Sequence, residues 1–168
     1  MNNLYIIGFM GSGKTSLASE LDKISENKKI NVDALIEKKL GMSISEIFAI
    51  HGEAFFRKHE HEILSEISKH DNQIVDCGGG LPLTPENRKL IKASGRCIYL
   101  KVSPNAVLQR LKSDKSRPLL KNKKSISIKE ISLMLDKRVQ IYESIADISI
   151  ETDNFTTKEI AEKLIPYL

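Results

Sequence analysis

The octapeptide GFMGSGKT, residues 8–15, follows directly on an apolar run, LYIIG, at residues 4–8. It fits the pattern G-x-x-x-x-G-K-[ST], which requires a buried strand before the loop and a helix after it. The glycines allow successive backbone N–H groups to turn inward around phosphate oxygens, and the new helix directs its positive end toward the same anion. The segment therefore predicts a strand–loop–helix unit that binds a nucleoside triphosphate, and by itself it says nothing of the phosphate acceptor.

The rest of the chain alternates between strand and helix patterns. Short apolar runs at 29–32, 73–76, 97–102 and 147–150 predict further buried strands. Segments with helical spacing lie at 14–26, 33–40, 43–50, 53–69, 84–93, 103–113, 128–145 and 156–166. This alternation predicts a single three-layer α/β domain, with helices on both faces of a parallel sheet.

Several helix boundaries are marked by residue type. Ser103-Pro104 and Thr84-Pro85 each place a capping residue before a proline at the first helical position. Gly41 and Gly95 are suited to end the helices that precede them.

Composition argues against several classes of protein. The chain has 168 residues, of which 40% are hydrophobic, enough for one domain core. It contains no run of about eighteen uncharged apolar residues and no secretion signal, so we expect a cytoplasmic protein that does not enter a membrane. We also expect a monomer. Cys77 and Cys97 lack the spacing of a metal site and are expected to be buried thiols.

A basic run, KSDKSRPLLKNKK, occupies residues 112–124 in a chain of formal net charge +4. It has no interleaved aromatic residues that could stack on bases, so we expect no nucleic-acid partner. A solvated, mobile loop and contact with a small anionic ligand both remain compatible with it.

Two charged features could serve the acceptor. Asp33 follows a short predicted strand and precedes a helix, where a helix N-cap and a functional carboxylate are equally favoured. Arg57 and Glu60 lie three residues apart on one predicted helix face, where they can pair. Such pairs are usually found at the surface, so the spacing alone does not decide their role.

A glycine triplet, Gly78–Gly80, follows the predicted strand that ends in Asp76. Three successive glycines cost conformational entropy, so close approach of the backbone to a ligand explains them better than an ordinary loop does. Arg138 and Tyr142 occur on the last long predicted helix, where a solvated role and a functional one are both open.

Taken together and in this order, these motifs resemble those of the shikimate kinase family. The family pattern has a GxxGxGK[ST] loop, a DxD after the second strand, F-R-x-x-E on a helix, G-G-G after the third strand, an R-P-L-L lid and R-x-x-x-Y. The corresponding segments, together with a family-like GMSISEIF at 41–48, are GFMGSGKT, NVD, FRKHE, CGGG, RPLL and RVQIY, and they span residues 8–142.

The resemblance implies a P-loop fold of the nucleoside-monophosphate-kinase type, with a five-stranded parallel sheet flanked by helices and a mobile lid. It implies one domain over residues 1–168, with the phosphate loop at 8–15, a substrate-binding region at about 31–62 and the lid at about 112–124. The implied reaction transfers the γ-phosphate of ATP to the 3-hydroxyl of shikimate, with Mg²⁺, giving shikimate 3-phosphate and ADP in the chorismate pathway to aromatic amino acids.

The resemblance also implies roles for individual residues. Asp33 would bind the shikimate hydroxyls and activate the nucleophile, while Lys14 and Arg117 would act on the transferred phosphate. The residues assigned to substrate binding are Asp33, Arg57, Gly79, Gly80, Arg138, Phe48 and Phe56. Those assigned to nucleotide binding are Gly11, Ser12, Gly13, Lys14, Thr15, Ser16, Arg110 and Arg117.

Positions 31 and 76 depart from the family pattern. Asn31 stands where the family has the first DxD carboxylate, which holds Mg²⁺ through water, and Asp76 stands where a small or hydroxylated residue is common. In other P-loop proteins a strand-end Asp is the metal partner. We hypothesise that Asp76 restores the lost charge beside Thr15 at the Mg²⁺ site, with Asn31 a second candidate through a metal-bound water.

Two alternatives remain open at this point. Gluconate kinase and the nucleoside monophosphate kinases share the phosphate loop and the lid, but they give no reason for Asp33, Arg57, the glycine triplet and Arg138 in this arrangement. A nucleotide-binding regulator without catalysis is supported only by Asn31.

Overall fold

The computed structural model describes residues 3–113 and 126–168. Its sheet has five parallel strands in the order β2-β3-β1-β4-β5. The strands are β1 (Asn3–Gly8), β2 (Lys28–Asn31), β3 (Gln73–Asp76), β4 (Gly95–Lys101) and β5 (Ile148–Glu151). The predicted five-stranded parallel sheet is confirmed.

Seven α-helices connect and flank the strands within the described residues. They are α1 (Lys14–Ile24), α2 (Val32–Leu40), α3 (Ile44–Ile67), α4 (Pro85–Ser94), α5 (Pro104–Ser113), α6 (Ile128–Ile145) and α7 (Thr157–Leu164). Short 3₁₀ turns lie at Leu81–Leu83 and Ile165–Tyr167. The two helices predicted at 43–50 and 53–69 run together as α3, which is kinked at Gly52 (φ 79°, ψ 176°).

The two predicted N-cap residues, Ser103 and Thr84, differ in whether their side chains cap a helix. Ser103 accepts a hydrogen bond from the Ala106 N–H at 3.2 Å, which confirms it as the cap of α5. Thr84 occupies the N-cap position of α4 and Pro85 is its first residue, as predicted, but the Thr84 side chain makes no capping hydrogen bond. Pro85 already presets the first helical residue and removes one N–H that would need a partner, so α4 depends less on a side-chain cap.

The two glycines predicted to end helices, Gly41 and Gly95, have different backbone conformations. Gly41 ends α2 in the left-handed conformation at φ 67°, with its N–H bonded to the Glu37 carbonyl. Gly95 follows the last residue of α4 but has an extended backbone and opens β4. A side chain at Gly95 would collide with the Asn3 backbone of β1, so close strand pairing explains this glycine.

The core has two apolar layers, one on each face of the sheet. β1 is buried along its whole length, with Tyr5 and Ile7 facing one layer and Leu4 and Ile6 facing the other. The first layer is packed by α2, α3, α4, α5 and α6, and the second by α1 and α7. The predicted three-layer architecture is therefore confirmed.

Two smaller predictions can also be scored on the described part of the chain. Cys77 and Cys97 are free and buried, as expected. No helix that the structure describes is both long and apolar enough to cross a membrane.

Candidate active site

The carboxyl ends of β1, β2 and β3 meet at one edge of the sheet, since these strands are neighbours in the order β2-β3-β1. The phosphate loop leaves β1 there, and Asn31 and Asp76 end β2 and β3 in register with each other. Ligands of open α/β sheets bind outside the carboxyl ends of the strands. This edge is therefore the candidate active site.

The phosphate loop has the backbone shape that its sequence predicts. Gly13 is left-handed at φ 96° and precedes the first turn of α1 without any side-chain cap. The first N–H groups of α1 therefore keep their capacity to donate to an anion. Lys14, at 9% exposure, donates from Nζ to the carbonyls of Gly8 and Phe9 at 2.9 and 3.0 Å.

Two adjoining cavities lie beside the loop. One, of about 240 Å³, is lined by Gly11, Gly13, Lys14, Thr15, Ser16, Arg110 and Leu111. The other, of about 360 Å³, shares Gly13, Ser16 and Arg110 with the first, and also contacts Ser12, Thr152 and Phe155. The structure thus brings together the predicted nucleotide-binding residues, apart from Arg117, which lies outside the described residues, as does most of the predicted lid.

Arg110 links α5 to the phosphate loop and to the chain after β5. Its guanidinium donates to the Gly11 carbonyl at 2.9 Å and to the Thr152 carbonyl at 2.9 Å. The sequence could not choose among Asp153, Asn154 and Phe155 as the adenine contact, and it did not indicate Thr152. The available signal was their position just after a strand on the same sheet edge.

The glycine triplet is the point where the acceptor-side residues meet. A Cβ at Gly78 would lie 2.7 Å from Oδ1 of Asp33, and one at Gly80 would overlap the Arg57 guanidinium. Gly79 lies against the phosphate loop, where a Cβ would be 3.4 Å from the Gly8 carbonyl oxygen and 3.9 Å from Arg138 Nη1. Close approach to these protein groups therefore explains the glycines. Approach of the same backbone to a ligand stays a prediction.

The R-x-x-x-Y motif places Arg138 and Tyr142 one turn apart on α6. Tyr142 is buried and donates its hydroxyl to the Gly79 carbonyl at 2.6 Å. The Arg138 guanidinium lies 5.5 Å from the centre of the Phe9 ring in the phosphate loop. Because residues four apart share a helix face, the tyrosine anchor also sets the position of the arginine.

Arg57 is held by two carboxylates of its own helix. Its Nη1 donates to both oxygens of Glu60 at 3.0 and 2.9 Å, and Nη2 donates to Glu53 at 3.0 Å. Glu60 is only 1% exposed, so this pair is buried and is not the surface pair that its spacing usually indicates. Burial raises the pKa of Glu60 to about 7, while Arg57 acts to lower it.

The two phenylalanines predicted to wall the substrate pocket lie beside Arg57. The rings of Phe48 and Phe56 have centroids 4.9 Å apart, and the Arg57 guanidinium lies 5.2 Å from the Phe56 centroid. Phe48 is 38% exposed and Phe56 only 4%. Phe48 is therefore the ring with more surface to offer a ligand.

Asp33 is the second residue of α2 and does not cap the helix. Asn31 is the cap, because its Oδ1 accepts from the Ala34 N–H at 2.7 Å. Burial raises the pKa of Asp33, the Asp76 carboxylate raises it further, and the Lys14 ammonium lowers it. Asp33 is thus a partly buried carboxylate between the phosphate loop and the glycine triplet.

A hydroxyl and a carboxylate converge at the mouth of the phosphate cavity. Thr15 donates its hydroxyl to Oδ2 of Asp76 at 2.7 Å, and Asp76 is buried. In residues 3–113 and 126–168 no three His, Cys, Asp or Glu side chains are grouped to hold a metal ion. A cation here would therefore take most of its ligands from water and phosphate, as Mg²⁺ commonly does.

The fold and this site define a P-loop phosphotransferase with two guanidinium groups and a carboxylate close to its phosphate loop. A model of the shikimate kinase family matches residues 10–168. The shikimate kinase of Thermodesulfovibrio yellowstonii is 42% identical over 98% of this chain and 94% of its own length. That of Caldicellulosiruptor bescii is 38% identical over 98% and 94%. The chain belongs to the shikimate kinase family, whose members are ATP-dependent phosphotransferases acting on shikimate.

Solved structures agree with this assignment. A shikimate kinase from Acinetobacter baumannii, in complex with shikimate, superposes with a TM-score of 0.89 at 31% identity, covering 98% of this chain and 91% of that one. The shikimate kinase from Aquifex aeolicus gives a TM-score of 0.80 at 30% identity, covering 98% and 94%. The P-loop kinase fold predicted from the sequence is confirmed.

Replacing Glu60 by Gln is expected to flatten the pH dependence of stability. With a native pKa raised from 4.5 to about 7, Glu60 holds a proton that the unfolded chain releases between these pH values. The free energy of unfolding should therefore fall as pH rises from 4.5 to 7, by on the order of 2 kcal/mol more in the parent than in Glu60→Gln. Urea unfolding at several pH values measures this difference.

Glu53→Gln is the matched control, because Glu53 pairs with the same arginine but is 64% exposed. It should leave the pH slope of the parent unchanged. Parallel slopes for the parent and Glu60→Gln would mean that Arg57 keeps Glu60 ionised across the whole interval.

Proposed function

We propose that the phosphate passes from the γ position of ATP to the 3-hydroxyl of shikimate, with Asp33, Lys14 and Arg117 as the catalytic residues. The observation that carries the proposal is the meeting of phosphate loop, carboxylate and two arginines at Gly78–Gly80. The solved relative from Acinetobacter baumannii, a complex with shikimate, supports this choice of acceptor. The proposed substrate-binding region is residues 31–62, together with the glycine triplet and Arg138.

The two arginines are proposed to bind the carboxylate of shikimate. A guanidinium offers a planar pair of N–H donors that matches a carboxylate, which a lysine ammonium does not. Arg57 is held by Glu53 and Glu60, and Arg138 is set by the Tyr142 anchor one turn away. Two restrained cations would fix one end of the ring, with Phe48 and Phe56 at its side.

Asp33 is proposed to bind the ring hydroxyls and to receive the proton of the attacking one. Its raised pKa makes it a better proton acceptor than an ordinary carboxylate. It lies against Gly78, next to the glycine that contacts the phosphate loop. Support for its role is therefore its position between the two halves of the site.

Lys14 and Arg117 are proposed to neutralise the transferred phosphoryl group, with Gly11–Gly13 and Ser16 around the other phosphates and Arg110 beside the base. Phosphoryl transfer depends mostly on in-line positioning and charge neutralisation. Arg117, and a lid at about 112–124 that excludes water, are inferred from the sequence alone.

The donor set at the Thr15 hydroxyl fits Mg²⁺. Thr15 and Asp76 supply hard oxygen atoms, which this cation prefers, at the edge of the cavity that Thr15 lines. Thr15 and Asp76 would hold the cation there, directly or through water, and its charge would offset that of the phosphate groups. We also propose that the protein is cytoplasmic and works as a monomer without a nucleic-acid partner, because a small kinase with a lid of its own needs no second chain to complete its site.

A panel of acceptors tests this function. Release of ADP from Mg-ATP is measured with shikimate, gluconate, AMP, CMP and single-stranded DNA, and only shikimate should support turnover. Asp33→Asn should lower kcat by about 10² to 10⁴-fold because the proton acceptor is lost, while ATP binding is retained. Asp22→Asn, an exposed change on α1, is the control.

Two other outcomes of the acceptor panel would contradict the proposed function. Turnover with gluconate or a nucleotide but not shikimate would replace the proposed acceptor. Saturable ATP binding without turnover on any acceptor would favour a regulator.

Arg138→Lys is expected to raise the KM for shikimate by about 10 to 100-fold, because a point charge replaces a bidentate donor pair. The KM for ATP should stay within about twofold. Steady-state kinetics measure both, with Arg96→Lys, at the opposite edge of the sheet, as the matched control. Equal increases in both KM values would show that the change acts on the fold and not on the acceptor.

A further inference from the structure

Asn31 and Asp76 form a hydrogen-bonded pair between two neighbouring strand ends. They are partners in the β2–β3 register, and Nδ2 of Asn31 donates to Oδ2 of Asp76 at 2.8 Å. The other end of the same amide, Oδ1, accepts from the Ala34 N–H at 2.7 Å. A backbone N–H can only donate and a carboxylate can only accept, so these two contacts fix the orientation of the amide.

The orientation of the amide determines which atoms of Asn31 face the proposed metal site. Its oxygen is engaged in capping α2, and its NH₂ group, a donor, faces the carboxylate. A metal-bound water directs its hydrogens outward and needs an acceptor. The Asn31 side chain therefore supports the neighbouring carboxylate better than it could support such a water.

Asp76 is buried and is held by hydrogen bonds from its neighbours. It is 4% exposed, and its Oδ2 accepts from both Asn31 and Thr15. Neither of these two hydrogen bonds uses Oδ1. Two donors on one oxygen hold the carboxylate plane fixed beside the hydroxyl that lines the phosphate cavity.

We infer that Asp76 is the carboxylate serving the nucleotide-bound divalent cation in this chain, and that Asn31 is a positioning residue that orients it and does not bind the cation or its water. The inference rests on the proposed function. Positions 31 and 76 lie side by side at the ends of β2 and β3. A carboxylate at either position would therefore lie beside the same cation site, and in this chain the carboxylate is on β3.

Three variants separate positioning from capping and from charge. Asn31→Ser keeps a good N-cap but replaces the amide that donates to Asp76 with a shorter hydroxyl. Asp76→Asn removes the charge, and the exchange variant Asn31→Asp/Asp76→Asn moves the charge to β2 while keeping a cap. The cation probe is Mn²⁺, titrated by electron paramagnetic resonance into the intact protein saturated with ADP. Affinity for ADP in EDTA is measured separately.

The expected results differ among the variants. Mn²⁺ affinity should fall by about 10 to 100-fold in Asp76→Asn and by about 10-fold in Asn31→Ser, the range seen when a carboxylate or its support is removed. The exchange variant should recover to within a few-fold of the parent. Affinity for ADP in EDTA should be unchanged in all three.

The single variant Asn31→Asp provides an independent test, based on thermal stability. It places two carboxylates at hydrogen-bonding distance, so the apparent Tm in EDTA should fall, while Mn²⁺ with ADP should raise the Tm more than in the parent. If Asp76→Asn does not fold, the exchange variant and Asn31→Ser still decide the question.

Unchanged Mn²⁺ affinity in Asp76→Asn would overturn the inference, as would an exchange variant no better than Asp76→Asn. Unchanged affinity in Asn31→Ser would overturn the positioning role. Failure of the proposed function looks different, because the parent would then fail to phosphorylate shikimate while Mn²⁺ binding still depended on Asp76.

Discussion

The absence of side chains at Gly78–Gly80 is the constraint on which the rest of the site depends. Each glycine is in contact with a different group: the Asp33 carboxylate, the phosphate loop and the Arg57 guanidinium. A single Cβ at the first or last position would displace a charged side chain. The phosphate loop, the Asp33 carboxylate and the Arg57 guanidinium can therefore converge only because this stretch of backbone carries no side chains.

The electrostatics of the site follow from that crowding. Burial raises the pKa of Asp33, the neighbouring Asp76 carboxylate raises it further, and the Lys14 ammonium acts to lower it. Glu60 is buried against Arg57, which keeps the guanidinium in one orientation. Buried charges are costly unless paired, so the pairs that support the site also restrict how it can be altered.

The sequence was sufficient for the sheet, the helices and most of the site because these depend on local patterns. The strand-end residues and the glycine triplet could be located by position alone. Spacing could not show that Asn31, and not Asp33, caps α2, since both are good capping residues and the tertiary contact with Asp76 decides. Spacing also could not show that Gly95 allows close strand pairing, or that Thr152 and Phe155 line the larger cavity beside the phosphate loop. Both features depend on contacts between distant segments of the chain.

The Tyr142 hydroxyl joins α6 to the Gly79 carbonyl across 63 residues of chain. Arg138 lies one turn from this bond on the same helix face. Any movement of α6 away from the glycine triplet would therefore separate the buried Tyr142 hydroxyl from its acceptor, at a cost of about 1 to 3 kcal/mol. The hydrogen bond thus resists displacement of the helix that carries Arg138.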